Sequence, residues 1–344
     1  MNSPFSDSAI GHHDHPLQKN GKKALAAQML FVLLAVSLVV FFRDRPQFHT
    51  LGIIFVSIVL EAFPFMLLGT LIGGFIEVFI PQTTITRFLP ERRWWAVFIA
   101  AALGVIFPVC ECAIVPVIRR LLKKGVPLSA AIAFLLGGPI VNPLVAASTA
   151  VAYFADWSIV IHRMVLGYLI AVAVGLLMNA FFSKTKAVRN EVFSDQHPMD
   201  CGTLCVDRKP IAFGEKINLA VNHAANDFFD IGRFLVIGAF FAAVAQTLIP
   251  RQVFVALTDT PALSILIMMI MAIALNLCSE ADAFVAASFR STPVPLTAQM
   301  AFMVLGPMLD IKLILMYFSV FRLRAIVTLA ALVFSMVFLS LVLI

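Results

Sequence analysis

The sequence predicts an all-α polytopic membrane protein, two inverted repeats with interrupted, re-entrant helices plus one extra N-terminal span. Three observations predict it. Of 344 residues, 61% are hydrophobic and 13% charged, about half the charged share with which a soluble domain covers its surface. Mean hydropathy is +0.98, and the apolar residues fall into long runs on the scale of the roughly 20 residues that span a bilayer as a helix. A segment also recurs: Pro127 to Pro139 matches Pro295 to Pro307 at an offset of 168, with 7 of 13 positions identical.

Charge and cysteine usage exclude several classes. The net charge of +6 arises from short basic clusters between apolar runs, the pattern that fixes membrane orientation, and no basic surface with interleaved aromatics suggests nucleic-acid binding. Five cysteines, three of them inside apolar runs, do not form a secreted disulfide framework. The chain has no Gly-x-x-x-x-Gly-Lys-Ser/Thr loop, no aspartyl-phosphate segment and no His-Glu-x-x-His. ATP drive and zinc hydrolysis therefore have no residues to perform them. No enzyme activity and no cofactor are expected.

The elements follow in order. Residues 1–23 are polar, with His12, His13, Asp14 and His15 ahead of Lys19, Lys22 and Lys23, and read as a cytoplasmic tail. Residues 24–42 form the extra N-terminal transmembrane helix, which ends in Phe41, Phe42 and Arg43 without a small-residue cleavage site. The first transmembrane repeat covers 51–182 and the second 228–344. Between them, 183–227 carries six Lys/Arg and six Asp/Glu without an apolar period and reads as a cytoplasmic linker. Its Cys201 and Cys205, near His197 and Asp200, read as reduced loop thiols, with a metal clip as the alternative.

The repeat carries more than apolar similarity. The offset of 168 also places Cys110 on Cys278 and Asn142 on Asp310, and an offset of 169 places Glu61 on Asp230 and Gly69 on Gly238. Orientation follows from the basic residues. If Trp94 to Ile118 and Pro261 to Phe289 each enter and leave on one side, about 18 Lys/Arg fall inside and about 5 outside, as the positive-inside rule demands. Each half then has three crossings and one re-entrant element, and the halves are inverted. That architecture puts substrate sites near the midplane, where helices are interrupted.

Polar residues coincide with the interruptions. Pro108 and Pro116 bracket Cys110, Glu111 and Cys112, and the repeat mate is Asn276-Leu-Cys278-Ser279-Glu280-Ala-Asp282. In a regular helix Cys110 and Cys112 would stand about 200° apart, whereas a broken segment lets both face one ion. Ionisable groups at membrane depth are functional candidates by default, which selects Glu111, Glu280 and Asp282. Gly138 and Pro139, with Gly306 and Pro307, mark a second pair of breaks, tolerable at depth where they line a cavity. Asn142 and Asp310 follow them and complete the candidate substrate site, with a local pairing of Asp310 to Lys312 as the bland alternative. Glu61 and Asp230 are placed near span entrances. Cys110, Cys112 and Cys278 are the candidate soft-metal or substrate ligands, since thiolates select soft ions.

At these residues the chain resembles the predicted permease family that includes the bacterial ArsP organoarsenical efflux permeases and the YraQ/YcgR-type proteins. The resemblance runs from about Leu51 to the C-terminus. It rests on Pro108-x-Cys110-x-Cys112-x-x-x-Pro116, on Lys-Lys-Gly-Val-Pro-Leu at Lys123 to Leu128 with Gly-Gly-Pro-Ile-Val-Asn-Pro behind it, and on Cys278-Ser-Glu-Ala-Asp-Ala-Phe284. It implies an inner-membrane permease and, for the ArsP branch, export of trivalent organoarsenicals through cysteine contacts. Many relatives carry Cys-Ser-Cys where this chain has Cys110-Glu111-Cys112, which adds a negative charge to the site.

The expected function is secondary transport of a thiophilic small solute across the cell inner membrane, coupled to protons or a cation, with the N-terminus cytoplasmic. Two readings stay beside it: a permease or channel binding a divalent metal or other small solute through carboxylates, and a membrane thiol-redox protein using Cys110 and Cys112. The expected partners are the lipid bilayer and the small-molecule or ion substrate.

Overall fold

The structure is a computed structural model and describes residues 46–81, 94–106, 110–189, 192, 213–248 and 260–343. The expected tail, the extra span, Pro108 and the Cys201/Cys205 pair lie outside these residues. The described chain is nearly all helical. α1 (Pro46–Phe79), α6 (Trp157–Phe181), α8 (Phe213–Leu248) and α13 (Leu323–Val342) each contain an apolar stretch long enough to cross a membrane.

Between these long helices lie short ones. α2 (Trp95–Ala102) runs through a 3₁₀ turn to Val105, and α3 (Glu111–Lys123) follows. α4 (Leu128–Gly137) and α5 (Pro143–Ala152) follow in turn, each of ten residues, or about 15 Å, half the hydrocarbon thickness. After the one-turn α7 (Lys184–Ala187) and the long α8, the second half offers α9 (Pro261–Leu275) and α10 (Asp282–Ala287). These lead to α11 (Leu296–Leu305) and α12 (Ile311–Tyr317). α4 and α11 begin and end at positions 168 residues apart, so the sequence repeat is a repeat of elements.

Glycine contacts show where the short helices meet. A Cβ on Gly104 would lie 2.5 Å from the Gly138 carbonyl oxygen and 2.7 Å from that of Val141, so α2 runs up to the interruption between α4 and α5. α3 then returns, and Lys124 at its end donates to the Glu77 carbonyl at 2.6 Å. In the second half, Ala272 and Asp282 flank Gly306, which places the turn between α9 and α10 at the interruption between α11 and α12. The Tyr153 hydroxyl donates to Gln299 at 3.0 Å, and Arg290 stacks on the Tyr153 ring at 5.4 Å. The start of α11 and the end of the second hairpin thus share the end of the molecule where α5 finishes.

Three expectations need correction. Pro116 does not break the chain: it sits inside α3, and its missing N–H removes the helical donor for the Cys112 carbonyl without ending the helix. Residues 213–227 of the stretch read as linker belong to α8. Of their charges, Asp227 is buried and meets Arg119 and Arg120. Glu61 is not at a span entrance, because α1 begins at Pro46 and carries it to mid-helix. By contrast, α4 ends at Gly137 and α11 at Leu305, so the Gly138-Pro139 and Gly306-Pro307 interruptions stand where the residues put them.

Close helix packing rests on glycine. A Cβ on Gly69 of α1 would meet the Ala113 carbonyl oxygen of α3 at 2.3 Å, whereas one on Gly52 of the same helix meets nothing within 4 Å. Both substitutions gain helix propensity alike, so their difference isolates packing. Gly69→Ala is expected to destabilise the detergent-purified protein by about 1–3 kcal/mol, while Gly52→Ala leaves it unchanged or more stable. Thermal unfolding of the two variants side by side checks this.

Candidate functional site

The tips of the two hairpins and the middle of α1 meet around one small cleft, with room for about one water molecule. Ile58, Glu61, Ala62 and Phe65 line it from α1, Cys110, Glu111 and Cys112 from the first tip, Asn276 and Cys278 from the second, and Lys312 from α12. Sequence-distant groups therefore share one interior volume. Pro64 lies inside α1 beside these residues and withdraws the helical donor of the Leu60 carbonyl, one residue from Glu61.

Local backbone geometry aims the side chains. Cys110 is the extended N-cap of α3 (φ −73°, ψ 168°) and Glu111 its first helical residue, a position where a carboxylate also meets the favourable end of the helix dipole. Asn276 closes α9 in the left-handed region (φ 50°, ψ 49°), which Asn tolerates better than most residues. Its Oδ1 accepts from the Lys312 backbone N–H at 3.0 Å, which ties the second tip to α12.

The charges form a chain across the cleft. Lys312 Nζ stands 3.3 Å from Glu111 Oε1 and 3.9 Å from Asp310 Oδ2. The Cys278 thiol donates to Glu280 Oε2 at 2.7 Å and lies 4.0 Å from Glu111 Oε2. Ser279 Oγ also donates to Glu280, at 3.2 Å. Cys110, Cys112 and Cys278 are free thiols, all buried. Among the described residues no group of three or more His, Cys, Asp or Glu side chains is arranged to hold a metal ion. The three thiols expected as metal ligands line the cleft without forming such a group, and Glu111 is engaged by Lys312.

The remaining expected site residues lie elsewhere. Asn142 caps α5 by accepting from the Leu144 N–H at 2.9 Å, and Asp310 caps α12 by accepting from the Leu313 N–H at 2.6 Å. Asp282 does not line the cleft. It is salt-bridged to Arg163 at 2.7 Å, and Arg163 also donates to Thr149 Oγ1 at 2.7 Å and to the Ser279 carbonyl at 3.2 Å. This node binds α5 and α6 of the first half to the second hairpin, with the Arg163 side chain wholly buried. Sequence reasoning passed over Arg163, although an Arg in a 25-residue apolar helix with no other Lys, Arg, Asp or Glu was a legible signal. Lys312 was read only as a neighbour of Asp310; its partner Glu111 is 201 residues away.

A further network lies where α3 ends. Arg119 contacts Asp227 at 3.4 Å and Asp230 at 3.2 Å, and Arg120 contacts Asp227, Glu77 at 3.7 Å and the His223 carbonyl at 3.2 Å. Asp230, the repeat mate of Glu61, is thus an ion-pair partner and not part of the cleft.

The Arg163 node makes a stability prediction. Arg163→Met leaves Asp282 buried and unpaired, and is expected to cost about 3–5 kcal/mol. Removing both charges in an Arg163→Met/Asp282→Asn double variant is expected to recover most of that loss. Unfolding midpoints of the purified proteins check both, and a single variant as stable as the parent contradicts the assignment.

Comparison with known proteins shows the family. The sequence profile of the ArsP family, described as predicted permeases, matches residues 47–344. YcgR of Bacillus subtilis is 39% identical over 280 residues, covering 81% of this chain and 92% of its own. A protein of Streptococcus mutans named as a putative two-component membrane permease complex subunit is 37% identical over 273 residues, covering 79% and 87%. YraQ of Escherichia coli K12 is 24% identical over 128 residues, covering 37% and 36%. No solved structure matches. With this profile match and this degree of identity, the chain belongs to the ArsP family of predicted membrane permeases.

Proposed function

We propose that this permease is a secondary transporter of the cytoplasmic membrane that exports a thiophilic small solute, a trivalent organoarsenical being the class its family resemblance implies. The observation that carries the reading is the convergence of Cys110, Cys112 and Cys278, from both repeats, on one interior cleft beside Glu111. Thiolates bind soft centres, and a thiol that binds one gives up its proton. Glu280, at 2.7 Å from the Cys278 sulfur, is the nearest base to receive it. Proton transfer to Glu280 is how binding would couple to a proton gradient. Asp282, held by Arg163, takes no part in this exchange and serves as a lock between the halves.

The two repeats are inverted in this reading, with the first hairpin entering from the cytoplasmic face and the second from the opposite face. The clustering of Arg119, Arg120 and Lys124 at the end of the first hairpin supports that orientation, and the N-terminus is then cytoplasmic. The Streptococcus relative's name raises a second protein subunit as a further partner. Because Glu61 and Glu111 also line the cleft, a carboxylate-bound divalent metal is the competing substrate class.

Everted vesicles loaded by the permease with a trivalent organoarsenical, with and without an imposed proton gradient, test the reading. Cys110→Ser and Cys278→Ser are each expected to lower the gradient-driven rate at least about tenfold, as loss of a substrate contact does. Glu280→Gln is expected to weaken its dependence on the gradient. Serine variants that transport as well as the parent would remove the thiol reading and leave the carboxylate one.

A further inference from the structure

The cleft already holds a cation of its own. Lys312 is 4% exposed, and its stem is fixed while its head has a choice. The backbone N–H is held by Asn276, and α8 presses on the Lys312 Cα at Gly238, where a Cβ would come within 2.8 Å. The ammonium sits between carboxylates from the two repeats, on Glu111 at 3.3 Å and beside Asp310 at 3.9 Å. Asp310 spends Oδ1 on its helix cap, and its buried Oδ2 has no hydrogen bond. That oxygen is an unused acceptor within about 1 Å of hydrogen-bonding distance from the ammonium.

We propose that Lys312 is a tethered competitor for Glu111: a soft metal cation, unlike a neutral organoarsenical that needs the thiols alone, gains the thiols and Glu111 together only by sending the ammonium across to Asp310. The inference rests on the reading of the cleft as a thiol site and adds how that site treats a charged occupant. Like charges a few ångströms apart in a buried site repel strongly, so a cation cannot settle against Glu111 while Lys312 remains there. With Lys312 moved, Glu111 is free to join Cys278, 4.0 Å away, and its chain neighbours Cys110 and Cys112. A hard cation lacks the thiolate contacts that repay the displacement. The ammonium also arrives at the N-cap of α12, directly after the Gly306-Pro307 interruption, so occupation of the cleft changes the charge at a helix break of the second repeat.

Cadmium(II) titration of the purified full-length chain, followed by the thiolate-to-cadmium absorption band, tests this. Parent protein is expected to bind and Cys110→Ser to bind poorly; a parent that binds no cadmium through its thiols removes the underlying reading of the cleft. Given thiol-dependent binding, Lys312→Gln removes the competitor and is expected to tighten it about tenfold. Asp310→Asn, which keeps the capping oxygen but weakens the alternative perch, is expected to loosen it at least about threefold. General damage to the fold does not move two variants in opposite directions. Cadmium affinity unchanged or weaker in Lys312→Gln, or unchanged in Asp310→Asn, overturns the role of Lys312 and leaves the thiol site standing.

Discussion

A bilayer offers the backbone no hydrogen-bond partners, so a chain that stops being helical at membrane depth must supply them from its own side chains or from a cavity. The arrangement of this protein follows from that constraint. Helices of ten residues reach only about halfway through the hydrocarbon, and where α4 and α11 stop, the next helix begins with a side-chain cap: Asn142 on the Leu144 N–H and Asp310 on the Leu313 N–H. The end of α2 and the turn between α9 and α10 come to these same interruptions. That turn is held by Asn276, which both ends α9 and grips α12. At Cys110 no side chain caps α3, and this uncapped helix start faces the cleft.

Charge is arranged by the same economy. An isolated ionised group is costly at this depth, and a buried pair missing one partner is strongly destabilising. Glu111 with Lys312 and Asp282 with Arg163 are pairs, each joining one repeat to the other. They differ in their surroundings. Arg163 is held by three acceptors on two elements, Asp282, Thr149 and the Ser279 carbonyl, which suits a fixed joint. Lys312 has two carboxylates within reach and thiols on the far side of Glu111, which suits a group that changes partner. The cleft gathers its polar groups around the pair that can rearrange.

Much of this was legible in the sequence, for a physical reason. Apolar run length and the Gly-Pro interruptions are local properties, and an offset of 168 between halves is visible wherever Pro, Gly and Cys recur, so the class, the breaks and the three thiols could be read directly. Pairings were not. Glu111 finds Lys312 across 201 residues and Arg163 finds Asp282 across 119, and nothing in either local segment announces the partner. Asp282 looked equivalent to Glu280 because the two are neighbours, yet Glu280 turns to Cys278 while Asp282, the first residue of α10, faces α6. Pro116 misled because proline more often ends a helix than rides inside one. The helical start at Phe213 was hidden because its charged residues read as loop, although Asp227 serves Arg119 and Arg120 of α3.

The proposed architecture, two hairpins that enter from opposite faces of the membrane and meet at the thiol cleft, sets which residues reach which side. Sidedness of labelling tests it most directly. Single-cysteine variants Lys124→Cys, at the end of the first hairpin, and Arg290→Cys, at the end of the second, would be treated with a membrane-impermeant maleimide in intact cells and in everted vesicles. Lys124→Cys is expected to be labelled from the cytoplasmic side only and Arg290→Cys from the opposite side only. Labelling of both from the same side would contradict it.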